Sequence, residues 1–86
     1  MNRYFEDTQY HLKRAVENAA KGVREELEPL ETRFREIVDR DGEPEAGRID
    51  SLRDDLADLE QRAEGEAREA IAEARERLQA YRNRAD

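Results

Sequence analysis

The residues able to do chemistry are sparse in this sequence. Its one histidine is His11, its one serine is Ser51, and it has no cysteine. A di-iron helical bundle needs Glu-x-x-His on a helix, but Thr8 stands three residues before His11. The paired histidines of a helical zinc site are absent as well. His11 therefore reads as a surface or edge residue, and no metal or other cofactor is implied. Without cysteine, disulfides, thiolate ligands and thiol nucleophiles are excluded. Ser51 precedes Asp54 by the capping-box interval, which suits a helix start better than a nucleophile. Gly22, Gly42, Gly47 and Gly65 are too dispersed to cradle a phosphate.

Carboxylates are plentiful: Glu25, Glu26, Glu28 and Glu31 in one stretch, and Asp54, Asp55 and Asp58 in another. Acid–base catalysis by a carboxylate pair needs a pocket that drives the two pKa values apart. Here the apolar periodicity places nearly all of them away from the apolar seam, on a solvated face, and nothing matches a calcium loop. The chain is expected not to be an enzyme.

Charge is polarised along the chain. Residues 1–24 hold five basic and three acidic residues, and residues 75–86 hold four and two, so the net −7 leaves −11 on residues 25–74. Tyr4, Phe5, Tyr10 and Tyr81 lie in the same two terminal stretches. Folded side by side, these stretches form a basic, aromatic end whose candidate partner-binding residues are Arg3, Lys13, Arg14, Arg75, Arg77, Arg82 and Arg84. Basic side chains interleaved with aromatics suit an acidic partner or single-stranded nucleic acid. An overall acidic chain disfavours nucleic acid, because phosphate affinity needs a strongly basic surface. The alternative is that the aromatics plug the end of a bundle and the basic end meets the acidic end of a second copy.

The elements that must position these residues are helices. Apolar residues recur at threes and fours, through Phe5, Leu12, Val16, Ala19, Val23, Leu27, Leu30, Phe34 and Ile37, then Ile49, Leu52, Leu56, Leu59, Ala63, Ala67, Ala70, Ala74, Leu78 and Tyr81. That is helical spacing with heptad character. The pattern predicts one domain over residues 1–86: helix 1 over about 3–40, a turn over about 41–48, and helix 2 over about 49–83. Asn2 is a candidate N-cap. Pro29 should bend helix 1 without ending it. Gly42 and Pro44 mark the turn; helix 2 starts either with Pro44 in its first turn or at a cap on Asp50 or Ser51.

Folding about Pro44 pairs residue i with roughly 88 − i, an all-α antiparallel two-helix hairpin. Large apolar residues then line its two ends, while Gly22, Gly65 and alanines line its middle. The predicted core is Leu12, Val16, Val23, Leu27, Leu30, Phe34, Leu52, Leu56, Leu59, Ile71 and Leu78. A lone hairpin buries one narrow stripe per helix, which rarely offsets the entropy of ordering the chain. The hairpin is therefore expected to dimerise into a four-helix bundle.

Charged residues make up 45% of the chain, and only Lys13 and Lys21 among the 16 basic residues are lysine. Two origins fit this acidic, arginine-rich composition: a protein kept hydrated in a KCl-rich cytoplasm, or a GC-rich genome. No apolar run approaches the ~20 residues of a membrane span, and no signal-peptide apolar region follows Met1; the expectation is a soluble cytoplasmic protein.

The stretches HLKRAVENAAKGVREELEPLE (residues 11–31) and GEAREAIAEARERL (residues 65–78) resemble small, functionally uncharacterised helical proteins of halophilic archaea. The resemblance implies a high-salt cytoplasm and brings no catalytic residues with it. The function expected is a non-enzymatic structural or protein-interaction module, working as a homodimeric helical bundle. The alternative is a nucleic-acid-associated protein acting through the basic end.

Overall fold

In the computed structural model, residues 3–39 and 46–85 are described. They form four helices: α1 (Arg3–Asn18), α2 (Lys21–Asp39), α3 (Ala46–Arg62) and α4 (Gly65–Ala85). No strand occurs among the described residues. The class is all-α, as the periodicity predicts, but each of the two long helices expected is broken in the middle. An unbroken helix over residues 3–39 would be ~55 Å long, whereas the longest dimension of the molecule is 34 Å and its radius of gyration is 11.9 Å. The four-helix arrangement is thus reached within one chain, so the argument that a second copy is needed to cover the hairpin no longer applies.

The first break falls at Ala19–Ala20, and local hydrogen bonds hold it. At the end of α1 the Arg24 side chain turns back and donates to the Val16 carbonyl at 3.1 Å and the Ala19 carbonyl at 3.2 Å. Asn18 Nδ2 donates to the Arg14 carbonyl, and the Arg24 amide donates to the Ala20 carbonyl to begin α2. Terminal carbonyls that have no partner within a helix are satisfied in this way. The second break, Ala63–Glu64, ends on Gly65 with φ of 60°, a left-handed conformation that glycine adopts without a Cβ clash. Pro29 lies inside α2, which runs past it to Asp39. α3 begins at Ala46, so Asp50 and Ser51 lie in its interior and neither is a cap. Asn2, Gly42 and Pro44 fall outside the described residues, as does most of the expected turn.

Each helix packs on two neighbours in a ring, α1 on α2, α2 on α3, α3 on α4 and α4 on α1. The cross-helix pairs show that all four contacts are antiparallel: Phe5 with Phe34, Glu26 with Arg62, Asp50 with Arg82, and Tyr4 with Tyr81. In place of the two-helix hairpin expected from the sequence there are four antiparallel helices, with the α1–α4 layer lying on the α2–α3 layer.

The core tapers. At the end holding the start of α1 and the end of α4, Phe5 packs edge-on to Phe34 with centroids 5.8 Å apart, and lies 4.7 Å from Tyr81. At the opposite end the buried residues include Ala15, Ala19, Ala63, Ala67 and Ala70. Of the predicted core, Val16 and Val23 are only partly buried, and the other nine are buried. Thr8 is fully buried and unpredicted; its hydroxyl donates to the Tyr4 carbonyl at 2.7 Å. Gly22 and Gly65 do not mark a close helix approach, since a Cβ on either would meet nothing within 4 Å.

Candidate functional site

Folding back redistributes the residues expected at a basic end. Arg3 and Arg14 are 11 residues apart on α1, or ~16 Å along its axis, so the seven residues spread along the α1–α4 layer. Arg3 and Lys13 are exposed. Arg14 bonds Glu66 at 2.6 Å, Arg75 bonds Glu60 at 2.8 Å and Arg82 bonds Asp50 at 2.9 Å. Arg77 sits 3.2 Å from Glu73 and 3.7 Å from Asp7. Arg84 lies in α4, with its side chain outside the described residues. Four of the seven are therefore engaged with carboxylates of the same chain. The aromatics largely follow the packing alternative: Phe5 and Tyr81 are buried, Tyr4 is partly buried against the core, and Tyr10 alone of the four stands out, 65% exposed.

The arginines instead tie the helices together. Arg75 and Arg82 link α4 to α3, and Arg53 reaches from α3 to Gln79 at 2.8 Å. Across the α2–α3 pair, Arg33 bonds Asp55 at 3.0 Å, and Arg62 bonds Glu26 through both terminal nitrogens while also reaching Asp58. Hydrogen bonding to Glu26 favours the charged guanidinium of Arg62, and the bond to Glu66 does the same for Arg14.

His11 lies at the α1–α4 seam. Its Nδ1 is buried without a hydrogen-bond partner, and its Nε2 is 3.9 Å from Glu73. Desolvation lowers its pKa below the ordinary 6.5, outweighing Glu73, which acts in the opposite direction. Arg77 and Arg14 add to the lowering, and Asp7 opposes it. With Arg77 set between Asp7 and Glu73, the surroundings are poor for a cation. Among the described residues no group of three or more His, Asp or Glu side chains is arranged to hold a metal ion.

The acidic residues separate by layer. α2 and α3 together hold eleven acidic and seven basic residues, whereas α1 and α4 hold seven and eight. The polarity seen along the chain is thus a polarity across the bundle. Between α2 and α3 runs an open groove of about 320 Å³, floored by Pro29, Leu30 and Leu59 and rimmed by Glu25, Glu26, Asp55 and Asp58, with Arg62 across it. A second cleft, of about 520 Å³, lies between the two helix breaks, against Ala19, Val23, Ala63 and Ala67. The Arg62–Glu26 and Arg33–Asp55 bridges were legible in the sequence, because both obey the i to 88 − i register. The role of Arg24 carried no such signal.

No helix among the described residues is long and apolar enough to cross a membrane. No curated protein and no solved structure matches the chain. Its residues 1–84 do match one family model, and with that match spanning nearly the whole four-helix unit the chain belongs to DUF7553, a family of unknown function.

Proposed function

We propose that this protein is a non-enzymatic interaction module of a salt-rich cytoplasm, a self-contained helical bundle that offers its acidic α2–α3 face to a basic segment of another protein. The observation that carries this reading is the charge polarity across the bundle. One layer holds eleven acidic against seven basic residues around an open groove, whose Glu26, Asp55 and Asp58 pair with Arg62 and Arg33 yet stay about half exposed or more. Screening in concentrated KCl weakens each charge pair, so the partner must also place apolar side chains over Pro29, Leu30 and Leu59. An amphipathic basic helix meets both needs. The acidic surface and scarcity of lysine favour the salt-rich setting.

The test is titration of the protein with an amphipathic Lys/Arg–Leu peptide, its Glu-substituted counterpart, and short single- and double-stranded DNA, in dilute buffer and in molar KCl. The basic peptide should bind in both, and the combined substitutions Glu25→Gln, Glu26→Gln, Asp55→Asn and Asp58→Asn should weaken it about tenfold or more. Neutralising Glu6, Glu17, Glu69 and Glu76 on the other layer should change it far less. Equal losses from the two sets, or tighter binding of the DNA or the acidic peptide, would overturn the proposal.

A further inference from the structure

Among the described residues, Arg62 alone lines both the α2–α3 groove and the cleft between the helix breaks. The groove passes Asp55, Asp58 and Leu59, and the cleft begins at Ala63, so the two lie end to end along α3. The same order holds on α2, from Leu30 down to Val23. Between Asp55 and Ala63 the helix rises ~12 Å, and Arg62 interrupts the trough there. Its two terminal nitrogens bond the two oxygens of Glu26 at 2.6 and 3.0 Å, and one of them reaches Asp58 at 3.2 Å.

This fork does little to hold the bundle. The side chains of Arg62, Glu26 and Asp58 are 48%, 50% and 71% exposed, and an exposed ion pair contributes little to stability. α2 and α3 already share the core through Leu27, Leu30, Leu56 and Leu59. What the fork shows is the group that this groove accepts: a planar guanidinium held by paired bonds, a geometry that an ammonium does not reproduce.

We propose that Arg62 is an internal stand-in for an arginine of the partner helix. On binding, the partner's guanidinium takes over Glu26 and Asp58, the Arg62 side chain swings out to solvent, and the groove joins the cleft. One apolar side chain of the partner then covers Pro29, Leu30 and Leu59, and a second enters the cleft against Val23, Ala63 and Ala67, with the arginine between them. On a helix that order fits positions i, i+3 and i+7, which span ~10 Å of one face. The stand-in rests on the acidic face being the docking face, and it adds that the free protein keeps this site closed with its own side chain.

The test is calorimetric titration with a helical peptide carrying Leu, Arg and Leu at i, i+3 and i+7. Two counterparts accompany it: one with that arginine moved to the opposite face, and one with lysine in its place. A fork that Arg62 occupies ~90% of the time lowers the apparent affinity about tenfold. Arg62→Gln should therefore tighten the first peptide about tenfold in dilute buffer, and less in molar KCl, where the fork is screened. Arg62→Lys keeps the charge but loses the paired geometry, and should tighten binding as well. The two counterpart peptides should gain less. Arg35→Gln makes the same charge change outside both cavities, on a side chain paired with Glu31, and should leave binding within about twofold.

Unchanged or weaker binding to both Arg62 variants would overturn the stand-in. The docking face would survive that result if neutralising the groove carboxylates still weakened the wild type, with Arg62 then a contact for the partner. Equal tightening by Arg35→Gln would also overturn it, since net charge alone would account for the gain. No binding of the peptide to wild type or to either variant would remove the docking face itself, and the stand-in with it. Should Arg62→Gln lose helicity, Arg62→Lys decides between the outcomes.

Discussion

The contact between Phe5 and Phe34 offers the sharpest test of the fold-back. The two residues are 29 positions apart, which on a continuous helix is ~43 Å; here their rings lie 5.8 Å apart at 81°. Phe34 is fully buried and Phe5 is 6% exposed. Replacing either by leucine roughly conserves volume, so each single change should cost ~1–1.5 kcal/mol. An edge-to-face aromatic pair adds about 0.5–1.5 kcal/mol beyond burial, and this appears as the coupling energy of a double-mutant cycle. The further contact of Phe5 with Tyr81, at 4.7 Å, is lost in both arms that change Phe5 and cancels to first order. Urea unfolding of wild type, Phe5→Leu, Phe34→Leu and the double variant gives the four free energies, provided each sample has the mass of one chain. Each kcal/mol corresponds to about 4–8 °C in melting temperature for a domain of this size. The double variant should be less destabilised than the sum of the singles by ~0.5 kcal/mol or more. Additivity within ~0.3 kcal/mol, the level seen for sites that do not touch, would refute the antiparallel return of α2 onto α1.

Three further outcomes follow from single side chains. Thr8→Val should alter stability by less than ~1 kcal/mol, because the Tyr4 carbonyl keeps its place in the helical ladder and no buried donor is orphaned; Thr8→Ala should cost more, through the cavity it leaves, and calorimetry separates the two. The ¹H–¹⁵N or ¹H–¹³C signals of the single imidazole should titrate below pH 6.5, since desolvation lowers the His11 pKa. With the folded pKa below the unfolded one, the His11 contribution is complete above pH 6.5 and is lost as pH falls through the folded value; His11→Gln should flatten this part of the pH profile, and a pKa at or above 6.5 would contradict the geometry. Arg62→Ala should weaken the α2–α3 pairing in dilute buffer, as followed by the denaturant midpoint, and the difference should shrink in molar KCl because Arg62 and its partners are solvent-exposed.

Much of the layer structure is legible in the sequence, because it depends on periodicity. The apolar steps of three and four define which face of each helix is buried, and the predicted fold about Pro44 finds the partners of α2: Glu26 meets Arg62 and Arg33 meets Asp55. Across α1 and α4 the register tightens, pairing Asp7 with Arg77 and Arg14 with Glu66, as expected when the helices are no longer continuous with α2 and α3. The ion pairs of the expected basic end are hidden from the sequence for a different reason. A tally of charge along the chain cannot register that Glu60 and Asp50 of α3 come to face Arg75 and Arg82 of α4, since that apposition exists only after the layers close. His11 shows the same dependence: its type is visible in the sequence, while its buried Nδ1 is a product of the α1–α4 seam.

The helix breaks are where local and tertiary preferences disagree. Ala19, Ala20, Ala63 and Glu64 favour helix by propensity and the apolar residues keep to steps of three and four, so only Gly22, Gly65 and the doubled steps of four at Ala19–Val23–Leu27 and Leu59–Ala63–Ala67 mark the breaks locally. Closure wins because a narrow apolar stripe must be covered, and the cover nearest to each half of the hairpin is its own other half. Intramolecular cover avoids the loss of translational and rotational freedom that a second chain would bring. Small side chains line the fold-back, where a cleft of about 520 Å³ remains, while Phe5, Phe34 and Tyr81 fill the other end. The near-continuity of the apolar pattern is what hides the breaks from a reader of the sequence.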